Sequence, residues 1–151
     1  MTPQARKRVL FVCVGNACRS QMAEGFARTY GSDVMIPASA GVMPARAIPS
    51  HTLRAMDEKN IDLRHQFPKA LRNLGRAEFD LVVNMTGRFL PPEYKSWPVV
   101  DWEVADPVQM EYAEHCEIRD VIEALVMKLV IELRAPRRPQ VRGLGSGRGA
   151  S

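Results

Sequence analysis

Cys13 and Arg19 stand six positions apart in the segment Cys13-Val14-Gly15-Asn16-Ala17-Cys18-Arg19-Ser20. A cysteine thiolate is a strong nucleophile. A guanidinium is a planar fork of donors that can hold two oxygens of a tetrahedral oxyanion. Between them lie Gly15 and Asn16, residue types that tolerate unusual backbone angles. Successive N–H groups of such a loop can converge on an anion. A helix opening at the end of the loop adds partial positive charge. The same field favours a thiolate on Cys13 over the thiol. Beneath a bound phosphate, that sulfur would attack phosphorus in line and form a phosphocysteine. The loop and Arg19 would carry the developing charge, so no metal or other cofactor is called for.

The spacing alone is weak, because three cysteines in an arginine-rich chain can match it by accident. What makes it specific is the context of a buried strand before it and a helix after it. Alone, Cys13 would read as a core cysteine at a strand end and Arg19 as a surface arginine. Ser20 reads either as a helix-start residue or as a hydroxyl that bonds the Cys13 sulfur, and Asn16 as a shaper of the turn. Cys18 reads as a small buried residue, or as a redox partner whose reversible disulfide would protect Cys13 from over-oxidation. Cleavage of a phosphate ester also needs a proton for the leaving oxygen. Asp106, followed by Pro107, is the candidate acid, although an Asp-Pro pair by itself is commonly a turn.

The elements that must position these residues follow from periodicity. Val9-Leu10-Phe11-Val12 is a short apolar run and predicts a buried strand. Met22, Phe26 and Tyr30 recur at helical spacing after the loop, and Gly31 is placed to end that helix. Asp33 to Ala40 predicts a second strand. Ser50 is placed to cap a helix running to about Lys59, with Asn60 as its stop signal. The stretch Ile61 to Ala77 has no assignable pattern. Phe79 to Val83 and Trp97 to Val104 predict two further strands. Ile118, Ile122, Leu125, Leu129 and Leu133 line one face of a last helix. Strands alternating with helices predict a parallel sheet covered on both faces, an α/β fold. Ligands of such sheets bind beyond the C-terminal ends of the strands. The Cys13 loop lies there, and the Asp106 loop is expected at the same edge.

The chain has 151 residues, 46% hydrophobic and 25% charged, which suits one soluble globular domain over residues 1–134. Residues 135–151 form a basic Pro/Gly-rich tail with Arg137, Arg138, Arg142 and Arg148 and no acid. Without those four, 17 Lys and Arg face 17 Asp and Glu, so the net charge of +4 belongs to the tail. This argues against nucleic-acid binding by the domain, and the tail reads as solvated. No apolar run is long enough for a membrane span, and no secretory signal is apparent, so the reading is cytoplasmic. Three cysteines argue against a disulfide framework, and three scattered histidines give no metal-ligand spacing.

From Val9 to about Leu133 the chain resembles the low-molecular-weight protein tyrosine phosphatases. The loop fits their C-x-G-N-x-C-R-S signature, and Gln21-Met22-Ala23-Glu24-Gly25, Ser39-Ala40-Gly41 and Asp106-Pro107 look like further family segments. The resemblance implies a four-stranded parallel sheet flanked by helices, with Asp106 as general acid and no cofactor. It implies that Val14, Gly15, Asn16, Ala17, Cys18 and Ser20 form the phosphate-binding loop, supported by Asn16 and Ser39. It also implies a phosphorylated protein or small aryl phosphate as substrate. Two departures bear on that substrate. Val108-Gln109-Met110 follows the Asp-Pro pair, and Val42-Met43-Pro44 follows Gly41, where aromatics often flank a phosphotyrosine ring. Thioredoxin-coupled arsenate reductases share this fold and loop. Their resolving cysteines sit near the third strand, whereas Val83-Asn84-Met85-Thr86-Gly87 has none, and Cys116 reads as structural. Arsenate reduction with an external thiol is therefore the alternative activity. A phosphate-binding module without turnover is a third reading.

Overall fold

Four strands and three α-helices alternate along the computed structural model, which describes residues 5–135. They are β1 (Lys7–Cys13), α1 (Arg19–Gly31), β2 (Met35–Gly41), α2 (Ser50–Asp57), β3 (Leu81–Asn84), β4 (Val99–Asp101) and α3 (Tyr112–Arg134). All strand pairs are parallel, in the order β2-β1-β3-β4. The expected four-stranded parallel α/β sheet is therefore present. The basic tail beyond Ala135 lies outside the described residues.

β1 is central because both its faces are apolar. Val9, Leu10, Phe11 and Val12 are fully buried, and each such burial contributes roughly 1.5–3 kcal/mol. Alternation sends Val9 and Phe11 to one face, where they meet Met22 and Phe26 of α1 and Ile122 and Val126 of α3. Leu10 and Val12 go to the other, with Phe79, Leu90 and Tyr94. That second face is covered by connecting segments and two single-turn 3-10 helices, Leu71–Leu74 and Pro92–Tyr94.

Several boundaries differ from the sequence expectations. β4 is three residues long rather than spanning Trp97 to Val104. Pro98 has no N–H and enters the ladder only through its carbonyl, which accepts from Val82 at 2.8 Å. The Trp102 N–H still donates to the Asn84 carbonyl at 2.9 Å; beyond it the chain leaves the edge, and the Val104 carbonyl turns to Arg19. β3 begins at Leu81, two residues late, because Phe79 packs under the second face. β2 begins at Met35, because Val34 is still in the turn, bonded to the Gly31 carbonyl at 3.0 Å. Ser50 lies inside α2 and makes no cap bond; Pro49 occupies the cap. Asn60 is a stop as expected, with φ 61°. Gly31 is the last residue of α1, but its reason is packing. A Cβ there would lie 2.6 Å from Val130 Cγ2 of α3, so only glycine admits that crossing.

Candidate active site

The parallel register brings the ends of all four strands nearly level. Cys13 lies across from Gly41, Val12 from Asn84, and Asn84 from Asp101. Between Cys13 and the start of α1, the Val14–Cys18 loop is fastened to the chain after β2. Val42 N–H donates to the Cys13 carbonyl at 3.3 Å, Met43 N–H to Val14 at 2.8 Å, and Ala45 N–H to Gly15 at 2.9 Å. Gly41 is what lets the two segments approach, since a Cβ there would be 2.7 Å from the Asn16 nitrogen.

Asn16 holds the centre of the loop. It has φ 50°, a region that asparagine tolerates better than most residues. Its Nδ2 donates to Ser20 Oγ at 2.7 Å. Its Oδ1 accepts from Gln21 Nε2 and from the Lys69 N–H, both at 3.0 Å. Ser20 Oγ lies 2.9 Å from Cys13 Sγ, and the Ser20 N–H points at the same sulfur at 3.5 Å. Because Ser20 Oγ accepts from Asn16, its own proton is free for the sulfur. Two donors thus converge on Cys13, which is 2% exposed.

Arg19 opens α1 and is 5% exposed. Its NH1 donates to the carbonyls of Met85 at 2.6 Å and Val104 at 3.1 Å, just past β3 and β4. Its NH2 is 3.6 Å from Asp106 Oδ2. Its Nε is buried and has no hydrogen-bond partner among the described residues. The Asp106 side chain is half-exposed, and its Oδ1 accepts from the Val108 N–H at 3.1 Å, closing a local turn. The loop after β4 therefore does open beside the Cys13 loop.

Cys18 is the N-cap residue of α1 and is 3% exposed. Burial pushes its thiol up to about 11, with the Asp106 and Cys13 charges acting in the same direction and a Thr52 contact opposing them. Among the described residues Ser39 makes no direct hydrogen bond to the loop. It donates to Glu24 of α1 and accepts from Lys69 Nζ at 3.4 Å. Lys69 itself bonds Asn16 and, through its carbonyl, the Gly41 N–H at 2.8 Å. Ser39 thus belongs to a buried polar layer behind the loop. The sequence reading missed Gln21, Gln66 and Lys69, which complete that layer. Gln21 directly after the Arg-Ser pair was the one available signal; Lys69 lies in the stretch without a pattern.

Cys116 lies one turn inside α3, partly exposed, and all three cysteines are free. Among the described residues no cluster of metal-ligating side chains occurs, and no helix is long and apolar enough to cross a membrane. Tyr112, the nearest aromatic after Asp106, is already occupied. Its hydroxyl donates to Glu58 at 2.6 Å, the Arg54 guanidinium sits 4.0 Å over its ring, and His51 meets it edge-on.

Comparison with known proteins fits this geometry. The low molecular weight phosphotyrosine protein phosphatase family matches residues 8–138. A glutaredoxin arsenate reductase of Synechocystis is 32% identical over 82% of this chain and 98% of its own length. A solved arsenate reductase in a phosphate-binding state superimposes with a TM-score of 0.77 at 32% identity, covering 84% of this chain and 98% of that one. The YwlE arginine phosphatase of Geobacillus stearothermophilus gives 0.71 at 26% identity, covering 87% and 99%. With the signature loop, the parallel sheet and a match over most of its length, this chain belongs to the low-molecular-weight phosphotyrosine protein phosphatase family.

Proposed function

We propose that the protein is an arsenate reductase that uses Cys13 as nucleophile and draws its second thiol from outside the chain. The observation that carries a tetrahedral oxyanion as ligand is Arg19 Nε, a buried donor with no partner among the described residues. An unmet buried donor costs roughly 1–3 kcal/mol, and an anion oxygen would meet it. Two features favour arsenate over an aryl phosphate. The wall residues Met43 and Val108 are exposed aliphatics, and Tyr112 is engaged by Arg54, His51 and Glu58, so none of these three positions offers a free ring. The most similar relatives reported above are named arsenate reductases. The third-strand segment carries no cysteine, so in this reading the second thiol comes from outside the chain.

In this reading the Cys13 thiolate attacks arsenic. A hydroxide leaves as water, taking its proton from Asp106, and a Cys13–S–As(V) adduct remains. An external thiolate then attacks the Cys13 sulfur. The electron pair of the S–As bond departs with arsenic, giving arsenite and a mixed disulfide on Cys13. A second external thiol releases Cys13 as thiolate and forms the external disulfide, so two thiols supply the two electrons. Cys18 is a poor substitute for the external thiol, because burial holds it protonated at neutral pH. The name of the Synechocystis relative points to glutaredoxin as the thiol source.

A second reading is hydrolysis of phosphate monoesters through a phosphocysteine, which the same Cys13, Arg19 and Asp106 could perform and which the phosphatase family match supports. Asp106 sits 3.6 Å from Arg19, where an acid could protonate an ester oxygen. One experiment separates the readings. Reduced wild type and Cys13→Ser are assayed for arsenate-dependent thiol oxidation with glutaredoxin and glutathione, and for p-nitrophenyl phosphate hydrolysis without metal. Arsenate-dependent turnover lost in Cys13→Ser supports the reductase. Hydrolysis without arsenate reduction overturns it in favour of the phosphatase. Loss of both in wild type, with phosphate still bound, would leave a binding module.

A further inference from the structure

His115 is a buried titratable group that the chemistry above does not use. It lies in the first turns of α3, just after the Asp106–Pro107 turn, and is 1% exposed. Its Nε2 is 2.9 Å from Thr52 Oγ1 of α2, which is fully buried. Its Nδ1 has no hydrogen-bond partner among the described residues.

The surroundings indicate what that nitrogen is for. Asp106 and the Pro107 backbone act on the ring from the loop, His51 faces it from α2 at 5.9 Å edge-on, and Arg119 acts from α3. Burial, His51 and Arg119 disfavour a charged ring, and Pro107 and Asp106 favour one; the net effect holds it below the usual histidine range. A neutral ring has one N–H. With Nε2 committed to Thr52, the nitrogen that answers to Pro107 is Nδ1. Direction then follows from donors and acceptors: Pro107 has no N–H and offers only its carbonyl, so His115 Nδ1–H points toward it and Nε2 accepts from the Thr52 O–H. The ring thus joins α2 to the acid loop.

We propose that His115 is a positioning residue for Asp106: its Nδ1–H closes on the Pro107 carbonyl when an oxyanion fills the Cys13 loop, Thr52 holds its other nitrogen, and Asp106 is thereby set over the anion. Bonds of this kind are often loose without ligand and tighten in the complex. The inference rests on the reading of Asp106 as the acid.

Two measurements test it. The first is histidine nitrogen NMR of the full chain, with and without saturating inorganic phosphate. The Nδ1–H tautomer is expected, with slower N–H exchange and a downfield shift when phosphate binds. An Nε2–H tautomer, or no response at saturation, overturns the proposal independently of any activity. The second is turnover, in whichever reaction wild type performs, for His115→Phe, His115→Gln and Asp106→Asn. His115→Phe is expected to lower kcat about tenfold with KM within about twofold. Glutamine, which retains a donor, should recover part of that. In an Asp106→Asn background His115→Phe should cost nothing further, whereas losses that multiply overturn the proposal. If Asp106→Asn alone leaves kcat unchanged, the acid reading fails and the positioning role falls with it. That failure is recognised by the single Asp106 variant, whatever His115→Phe does.

Discussion

Gly41→Ala moves the oxyanion loop without changing any residue in it. Gly41 ends β2 across from Cys13, and a Cβ there would lie 2.7 Å from the Asn16 nitrogen, 2.9 Å from Asn16 Cβ and 2.9 Å from the Gly15 carbonyl carbon. Two of the three atoms are backbone, so no side chain can swing aside. The segments are also tied by the three bonds from Val42, Met43 and Ala45. Relief requires the loop to shift by about 0.7 Å to regain ordinary contact. Overpacking of this kind costs roughly 1–3 kcal/mol of stability. A displacement near 1 Å at a reacting centre can cost about a hundredfold in turnover. The assay combines urea unfolding, inorganic phosphate affinity by calorimetry, and kcat. The comparator is Gly15→Ala, inside the loop, whose Cβ would meet Ala45 Cβ at an ordinary 3.6 Å. It should stay within about 0.5 kcal/mol of wild-type stability. Gly41→Ala with wild-type stability and kcat refutes the reasoning, as does a Gly15→Ala variant that is the less stable of the two.

Ser20→Ala removes the hydroxyl 2.9 Å from Cys13 Sγ and strands Asn16 Nδ2. A hydrogen bond to a charged sulfur is worth about 1.5–3 kcal/mol, so kcat should fall roughly 10- to 100-fold, and a fall under threefold counts against the contact. Cys18 gives a pH dependence. Its thiol ionises near 9.0 when unfolded and near 11 when folded, so between those values the unfolded state binds fewer protons. Stability from this group is therefore intact below about pH 9 and declines as pH rises toward 11, by about 2–3 kcal/mol in all. Urea melts at pH 8 and 10 should show a smaller decline for Cys18→Ala than for wild type; equal declines refute the assignment. Arg119→Met leaves the Ala55 carbonyl, near the C-terminal end of α2, without the Arg119 NH1 donor at 2.9 Å. Unfolding should show a loss of about 1–3 kcal/mol, and an unchanged midpoint would mean another donor reaches that carbonyl.

Local patterns carried much of the fold and the loop. The Val9–Val12 run, the helical spacing of Met22, Phe26 and Tyr30, and the apolar face from Ile118 to Leu133 are signals within one element, and each element is where they place it. The Cys13–Ser20 segment is local too, and its internal bonds span only four to seven residues. β4 was legible only in part, because the pattern of Trp97 to Val104 does not show where an edge strand gives up its partner. Asp106 was legible as a position after a strand, but its distance to Arg19 was not.

What the sequence by itself determined is the chemistry available: a nucleophilic sulfur, a cationic fork and a loop able to hold an anion, because these depend on residue type and short spacing. Tertiary structure alone decided how that chemistry is held and bounded. Arg19 is fixed by carbonyls 66 and 85 residues away. Gly31 and Gly41 are set by atoms of other segments that come within 3 Å of where a side chain would begin. Tyr112 is withdrawn from the substrate by Arg54 and Glu58 of α2 and the turn that ends it. Such contacts join segments distant in the chain, and no local period records them, because their register is set only when the sheet and its helices close on one core.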